Sequence, residues 1–288
     1  MIAGAEAHRI GKALASVEAW AAEIIVVLNE EVQDGTERIA AQYGAKVFRE
    51  PWKGHVAQKN SAAAKASQPW LLGLDADEAV SPELAAELPE AIAVVGVAVA
   101  AYRFPRCTLY CGRWIRHGDW YPDYQTRLWR RGQAEWTGID PHDRLNVPGR
   151  VERLRGPLQH FSMESLNHQV AKTVQYADEF VRQCAERRQA ASAVDLAVRP
   201  FWRFFRGYVV RLGFLDGWQG FSVAWMTAFY TFLRYVRVRE EQERKEDCPA
   251  SAPSPSATRG ERAGEGGSIA KPVPTIRPVP ITPGRTEP

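Results

Sequence analysis

The segment Trp70-Leu-Leu-Gly-Leu-Asp-Ala-Asp-Glu78 places three carboxylates directly behind a short apolar run. Two further runs rich in β-branched residues precede it, and patterns with helical spacing lie between them. The apolar runs are Glu23–Leu28 and Ala45–Phe48, and the helical patterns cover about residues 9–20, 35–43 and 54–66. Nearly continuous apolar strands that alternate with helices are typical of a parallel sheet covered by helices. The sequence therefore predicts an α/β fold with ligands bound beyond the carboxyl ends of its strands.

The pattern changes near residue 100. Three strand-like segments separated by turns with Gly and Pro predict a mixed region that extends the sheet, and helical spacing returns over 164–187. The strand-like segments are Val97–Phe104, Tyr124–Trp129 and Val151–Leu158. The last part of the chain is rich in proline and lacks aromatic residues, so it cannot bury enough apolar surface to fold. We expect an α/β domain over 1–160, a helical region over 161–245 and a disordered tail over 246–288.

Composition excludes several classes of protein. The chain has 288 residues, 25% of them charged, and a net charge of +3, so it is not a strongly basic nucleic-acid-binding protein. Four scattered cysteines do not form a disulfide framework, and Cys107 with Cys111 is weak evidence for zinc. The N-terminus lacks the features of a secretion signal. Gly217–Leu233 is uncharged but at the lower limit for a membrane span, which favours a packed or interfacial helix.

The acidic cluster suggests a metal site. In an extended segment the side chains of Asp75 and Asp77 point to the same side, because side chains alternate with a period of two. Three carboxylates in four residues repel one another unless a positive charge lies among them. Two oxygen ligands suit Mg²⁺ or Mn²⁺ shared with a diphosphate. The alternative is a solvated acidic turn that caps the next helix at Ser81-Pro82-Glu83.

Two other regions carry candidate chemistry. Lys59 lies on the helix before the acidic cluster and could approach phosphate oxygens, although a lone lysine on a helix is usually only solvated. The segments His117–Arg131, Glu135–Gly138 and Asp140–Asp143 combine aromatic residues with carboxylates and arginines. Such a mixture suits a carbohydrate or diphosphate site, in which Asp143 is a candidate general base. The alternative is a β-hairpin whose aromatic residues simply form its core.

Taken together, several segments over residues 1–240 resemble the inverting glycosyltransferases of family 2, which have the GT-A (Rossmann-like) fold. The branch that they resemble comprises bacterial lipopolysaccharide-core glucosyltransferase-like proteins. The segments are Ala21–Val27, Asp34–Thr36, Ala57–Asn60, Leu74–Glu78, Trp120–Asp123, Arg127–Arg131 and Gly213–Gly217. Their order and spacing make the combination specific. The resemblance implies a mixed, mainly parallel sheet flanked by helices, with a C-terminal helical extension.

The resemblance also implies a role for each matching residue. Asp75 and Asp77 correspond to the Asp-x-Asp element that holds Mg²⁺ or Mn²⁺ on the nucleotide-sugar diphosphate. His142-Asp143 falls where a His-Glu pair supplies the catalytic base. The nucleotide-sugar contacts implied are Asn29, Glu30, Asp34, Lys59 and Asp75. The implied contacts to diphosphate or acceptor are Trp120, Asp123, Arg127, Arg130, Arg131 and His142.

The sequence departs from the family pattern in two places. The family's first strand is shortened here to Met1-Ile-Ala3, which is followed by Gly4. A start codon assigned too late is one expected cause of the short strand. This departure affects the nucleoside pocket. Asn29 stands where the family usually has Asp, which affects the contact to uracil. Neither departure touches Asp75 or Asp77.

These observations favour an enzyme that moves a sugar from a nucleotide donor, a UDP-sugar, to a lipopolysaccharide-core or other lipid-linked acceptor. One alternative is a nucleotidyltransferase, although the chain has no Gly-rich phosphate loop near its N-terminus. Another is a non-catalytic scaffold at a membrane. We expect a cytoplasmic protein that touches the inner face of the membrane through Phe201–Val238, where Arg199, Arg203, Arg206 and Arg211 form a basic helical face. The alternative is that these aromatic residues only pack the C-terminal helices.

Overall fold

The first sixty-five residues form a small parallel sheet with helices beside it. The computed structural model describes residues 1–93, 99–139, 142–163, 165–187 and 190–247. The elements of this first part are β1 (Ile2–Ala3), α1 (Ile10–Ala15), β2 (Ile25–Asn29), α2 (Thr36–Gln42), β3 (Lys46–Glu50) and α3 (His55–Lys65). The strands lie in the order β1-β2-β3, and both pairs are parallel. The alternation of strands and helices predicted for this part is confirmed, and β1 is as short as expected.

A larger mixed sheet follows. Its strands and the helix between them are β4 (Trp70–Leu72), β5 (Glu78–Val80), α4 (Pro82–Ala93), β6 (Val99–Tyr110), β7 (Arg113–Trp114), β8 (Asp123–Arg130), β11 (Arg150–Arg153) and β12 (Leu158–Met163). The long strand β6 lies at its centre and pairs in parallel with β11 and β12 and antiparallel with β7 and β8. A separate antiparallel hairpin is formed by β9 (Glu135–Ile139) and β10 (His142–Asn146). The mixed α/β class is confirmed.

The core explains why these segments pair. Val26, Val27 and Leu28 of β2 are fully buried, as expected for a strand covered on both faces. Phe104 of β6 and Leu158 of β12 are also fully buried and belong to one apolar cluster with α4. The segment predicted as one strand over Val151–Leu158 is instead divided between β11 and β12.

Gly156 accounts for that division. A Cβ atom at this position would lie 2.4 Å from backbone atoms of Leu84 in α4, so only glycine allows the chain to pass there. The close passage of backbone against α4 interrupts the strand.

Three helices complete the described chain: α5 (Leu166–Glu186), α6 (Ala193–Phe205) and α7 (Gly217–Asp247). A π-helical turn and a 3-10 turn connect α6 to α7. Asp216, in the second turn, accepts the backbone N–H groups of Arg116 and His117 and so ties the helices to the larger sheet. Strand β12 crosses the boundary expected at residue 160. Among the described helices, none combines the length and apolar character needed to cross a membrane. The tail expected over 246–288 lies, from residue 248 onward, outside the described residues.

Candidate active site

The acidic cluster lies in the turn between β4 and β5. Strand β4 ends at Leu72, and Asp75 and Asp77 follow in this turn, where both line a cleft of about 770 Å³. Glu78 begins β5 and is fully buried, and its carboxylate accepts the backbone N–H of Asp75 at 3.1 Å. The three carboxylates therefore differ in role, because two face the cleft and the third supports the turn from below.

Cations of the protein itself neutralise Asp75. Arg127 Nη2 lies 2.6 Å from Asp75 Oδ2 and 3.2 Å from Glu78 Oε1, and Lys59 Nζ lies 3.2 Å from Asp75 Oδ1. Burial alone would raise the pKa of Asp75, but the charges of Arg127 and Lys59 outweigh it and hold the pKa well below its usual range. The mutual repulsion of the carboxylates, which suggested a metal, is thus relieved without one at Asp75.

Arg127 requires a correction. The resemblance implied a contact with diphosphate or acceptor, but its side chain is only 6% exposed and lies beneath the acids. Strand β8 delivers it there from the larger sheet. Its role in the structure is to hold Asp75 and Glu78.

Asp77 has a different environment. Its Oδ2 atom lies 3.5 Å from His160 Nε2 and 3.8 Å from a guanidinium nitrogen of Arg9. The other ring nitrogen of His160 is within 3.2 Å of the hydroxyls of Thr108 and Ser162, so Nε2 is the one directed at the carboxylate. Burial raises the pKa of Asp77, but hydrogen bonding to His160 and the charges of His160 and Arg9 lower it overall.

The donors at this end of the cleft fit a divalent metal only in part. Among the described residues, no group of three or more His, Cys, Asp or Glu side chains is arranged to hold an ion. Asp77 and His160 supply one carboxylate and one imidazole, which Mn²⁺ accepts and which leave further positions open. A metal at Asp77 would therefore need phosphate oxygens or water to complete its shell.

The hairpin brings Asp143 to the same place. Its Oδ2 atom lies 2.8 Å from Lys59 Nζ, and the carboxylate is 12% exposed. Lys59 thus bridges Asp75 and Asp143, with its ammonium 4.5 Å from the centre of the Trp136 ring. Asn60 fixes the hairpin against α3, because its side chain exchanges two hydrogen bonds of 2.9 Å with the backbone of Trp136.

Another part of the cleft lining comes from the C-terminal helices. Lys172 and Tyr176 of α5 and Thr227 and Tyr230 of α7 line it. Trp120 and Asp123, both expected at the acceptor, also line the cleft. Asp123 accepts two hydrogen bonds from Arg106, at 2.7 and 3.0 Å. Trp120 packs edge-to-face on Tyr110, with ring centres 5.6 Å apart.

Three residues expected at the nucleoside do not line the cleft. Asn29 ends β2, and the backbone N–H of Glu30 donates to the carbonyl of Glu50. Asp34 accepts the backbone N–H of Ala7 at 3.0 Å and the hydroxyl of Thr36 at 2.6 Å. Local hydrogen bonds thus account for the described contacts of Asp34, and its nucleotide role stays a prediction.

The two other arginines of the β8 segment also lie away from the cleft. Arg130 donates from Nε to the carbonyl of Val99 at 2.9 Å and covers the ring of Trp70 at 4.6 Å. Arg131 is exposed in the following turn. The structure therefore does not bring either to the acids. The backbone of His142 lies in β10, whereas its side chain is outside the part of the chain that the structure describes.

Sequence reasoning missed many residues that line the cleft, among them the charged or titratable residues Glu6, Arg9, Arg106, His160 and Lys172. His160 and Ser162 both line it, as expected for alternate residues of strand β12. That alternation is visible in the sequence. Their place beside Asp77 follows from non-local pairing, in which the backbone N–H of Phe161 donates to the carbonyl of Asp77 at 2.8 Å.

Comparison with known proteins identifies the family of the chain. The family model "Glycosyl transferase family 2" matches residues 1–146. An uncharacterized glycosyltransferase of Rickettsia felis is 30% identical over 252 residues, which cover 82% of this chain and 86% of the relative. The chain belongs to glycosyltransferase family 2. Membership of this family makes it a glycosyltransferase, and the mixed α/β architecture agrees with the GT-A type that the resemblance implied.

Two further proteins are similar to the chain. The lipopolysaccharide core biosynthesis glycosyltransferase LpsC of Rhizobium meliloti is 27% identical over 243 residues, which cover 82% of this chain and 89% of LpsC. The structure of S. aureus TarS 1–349 in complex with UDP-GlcNAc is 14% identical and gives a TM-score of 0.44, with 84% of this chain and 90% of that chain covered.

Proposed function

We propose that this glycosyltransferase moves a sugar from a UDP-sugar to a lipopolysaccharide-core or other lipid-linked acceptor, with inversion at the anomeric carbon. The observation that carries the proposal is the position of Asp77 and Asp143 on one cleft, with Lys59 between Asp75 and Asp143. The similarity to LpsC supports the class of acceptor. A scaffold without activity would not need acids and a lysine gathered in this way from three separate elements.

Asp77 and His160 would hold the divalent metal. A bound Mg²⁺ or Mn²⁺ neutralises the charge that develops on the leaving diphosphate. Asp75, whose oxygens already contact Lys59 and Arg127, supports the donor from the adjacent position. In this proposal Asp77 takes the larger part in metal binding, because the oxygens of Asp75 already contact two cations of the protein.

Asp143 would act as general base. A bond forms between the acceptor oxygen and the anomeric carbon while the bond from that carbon to the diphosphate oxygen breaks. The proton of the acceptor hydroxyl passes to the Asp143 carboxylate, and the electron pair of the broken bond leaves with the nucleoside diphosphate. Lys59 holds the carboxylate 2.8 Å away and keeps it oriented toward the cleft before the acceptor arrives.

Two substitutions test these roles. Asp77→Asn should abolish transfer while leaving the fold intact, because it removes a charged metal ligand. Asp143→Asn should lower kcat by about a hundredfold or more with little change in donor affinity. Asp178→Asn is the control, since Asp178 is exposed on α5, is paired with Arg237 and does not line the cleft. Near-normal turnover of Asp77→Asn, or loss of donor affinity with turnover preserved in Asp143→Asn, would contradict the assignment.

We further propose that the enzyme works on the inner face of the cytoplasmic membrane, in contact with lipid. Fifteen large apolar residues between Val194 and Phe232 are at least 40% exposed, and we call them the apolar face. They are Val194, Val198, Phe201, Trp202, Phe205, Val209, Val210, Leu212, Phe214, Leu215, Trp218, Phe221, Trp225, Phe229 and Phe232. So much exposed apolar surface marks an interaction site, and helices of this kind lie in the plane of a bilayer interface.

The mode of contact differs from the electrostatic docking that the sequence suggested. Arg203, Arg206 and Arg211 all pair with the buried carboxylate of Asp119, and Arg199 pairs with Asp195. The two carboxylates thus offset half of the positive charge of these four arginines within the protein. Insertion of the apolar face would supply the binding energy, at about 1.5–3 kcal/mol for each large side chain that becomes fully buried.

Two aromatic residues that the sequence assigned to the membrane surface are partly buried and pack against neighbouring rings. Phe204 and Tyr208 stack with ring centres 5.4 Å apart, and both contact the ring of Phe221. Packing between the C-terminal helices therefore explains the positions of Phe204 and Tyr208. It does not explain why the residues of the apolar face are exposed. Because α7 also lines the cleft with Met226, Thr227 and Tyr230, lipid contact would bring a membrane-borne acceptor to the acids.

Flotation with neutral and with anionic vesicles tests this proposal. We expect the protein to bind both and to stay bound at high salt, since apolar insertion is not screened. The double variant Trp218→Ser/Trp225→Ser should lose binding, whereas Trp20→Ser, which changes an exposed tryptophan outside the apolar face, should not. Absence of binding to either vesicle at low salt, or binding that disappears with salt, would overturn it.

A further inference from the structure

Helix α5 carries one lysine into the cleft. Lys172, the only lysine of α5, is half-buried and lines the cleft together with Asp75 and Asp77 of the acidic turn. Lys172, Asp77 and His160 line the same cleft. Burial lowers the pKa of the Lys172 ammonium, the negative charge of Asp77 raises it, and the positive charge of Arg9 lowers it further.

Lys172 differs from every other lysine or arginine that lines the described cleft. Arg9 pairs with Glu6, Lys59 with Asp75 and Asp143, Arg106 with Asp123 and Arg203 with Asp119. Among the described residues, Lys172 has neither an acid partner within 4.0 Å nor a hydrogen bond.

An unpaired ammonium in this position calls for an anionic ligand. Partial removal from water disfavours a charge unless a partner of opposite sign replaces the lost hydration. The structure supplies no such partner from the described chain, although acids line the same cleft. A lysine acts as a compact point charge that suits phosphate oxygens.

We infer that Lys172 binds the terminal phosphate of the nucleoside diphosphate, both in the donor and as the leaving group. The inference rests on the proposed donor-binding function and adds a catalytic residue to it. As the bond between the anomeric carbon and the phosphate oxygen breaks, that phosphate gains one negative charge. An ammonium facing it stabilises the transition state more than the bound donor. Its location in the same cleft as Asp77 and His160 favours the diphosphate over an anionic group of the acceptor.

Nucleotide binding without turnover provides the test. Uridine, guanosine, cytidine, thymidine and adenosine diphosphates are titrated calorimetrically with Mn²⁺, and the tightest is compared with its monophosphate. Lys172→Gln should lower the affinity for the diphosphate by about tenfold to a hundredfold and leave the affinity for the monophosphate nearly unchanged. Lys172→Arg should retain most of the affinity. The control Arg182→Gln removes the same charge from an exposed site on α5 outside the cleft and should have no effect.

Turnover measurements distinguish the donor diphosphate from an anionic group of the acceptor as the ligand of Lys172. Lys172→Gln should lower kcat with the nucleotide-sugar donor as well as weakening diphosphate binding. Unchanged diphosphate affinity with a raised KM for the acceptor would assign Lys172 to the acceptor and overturn the inference. Equal weakening of diphosphate and monophosphate would also overturn it. A wild-type protein that binds none of the diphosphates would refute the proposed function, and the inference with it, before any variant is compared.

Discussion

Replacing Arg127 should lower the free energy of unfolding of the whole domain, in addition to disturbing the active site. Its guanidinium is 6% exposed and contacts Asp75 at 2.6 Å and the fully buried Glu78 at 3.2 Å. Arg127→Met replaces the arginine with an uncharged, apolar side chain of similar length, so that Glu78 loses one of its cationic neighbours. Breaking a buried ion pair by removing one partner costs about 3–5 kcal/mol.

The lower end of this range applies here, because each acid keeps a second cation. Arg106 lies 3.5 Å from Glu78, and Lys59 lies 3.2 Å from Asp75. We therefore expect a loss of about 3 kcal/mol from the free energy of unfolding, which is a large share of the roughly 5–15 kcal/mol typical of a folded domain. Urea unfolding followed by circular dichroism measures it, with the midpoint lowered and the slope unchanged.

The pH dependence gives an independent check. The pKa of Asp75 is lower in the folded protein than its unfolded value of about 3.9, so its contribution to stability is fully present above that pH and is lost as the pH falls below it. The difference in stability between the wild type and Arg127→Met should therefore begin to shrink below about pH 4 and continue to shrink as the pH falls further. The double variant Arg127→Met/Glu78→Gln should recover part of the loss, and Arg131→Met is the exposed control. A loss below about 1 kcal/mol at pH 7 would refute this reasoning.

Further predictions concern the frame around the site. Gly156→Ala should lower the melting temperature by several degrees, because its Cβ would meet the backbone of Leu84 at 2.4 Å; calorimetry measures this, and an unchanged transition would contradict it. Asp216→Ala should speed amide hydrogen exchange at Arg116 and His117, since both backbone N–H groups lose their acceptor. Protection equal to that of the wild type would show that the connection between turn and sheet does not depend on this carboxylate.

Local pattern was enough to predict the elements of the first part of the fold. The apolar run that became β2 is buried because both faces of the strand are covered, and that condition is visible as an unbroken run of apolar letters. In β4 only the central residue, Leu71, is buried. The approach of Asp143 to Asp75 was expected only through the resemblance. The ion pairs of Lys59 that connect them depend on how the hairpin packs on α3, which no local pattern specifies.

The position of Arg127 could have been predicted in part from the sequence, and in part depends on non-local strand pairing. Residues three apart on a strand point to opposite faces, so Arg127 and Arg130 could not both reach one cluster, and the sequence alone could have excluded that grouping. The burial of Arg127 beneath the acids depends on the pairing of β8 with β4 and β6, which is non-local. The position of His160 beside Asp77 likewise depends on the pairing of β12 with β5.

Release of nucleoside diphosphate from a panel of nucleotide sugars, measured with Mn²⁺ or Mg²⁺ and again after chelation, tests the central claim most directly. The account predicts slow hydrolysis of at least one nucleotide sugar by the wild type, loss of this activity on chelation, its return with added metal, and no activity in folded Asp77→Asn. The account would be contradicted if the wild type neither bound nor hydrolysed any nucleotide sugar, or if hydrolysis continued unchanged in Asp77→Asn.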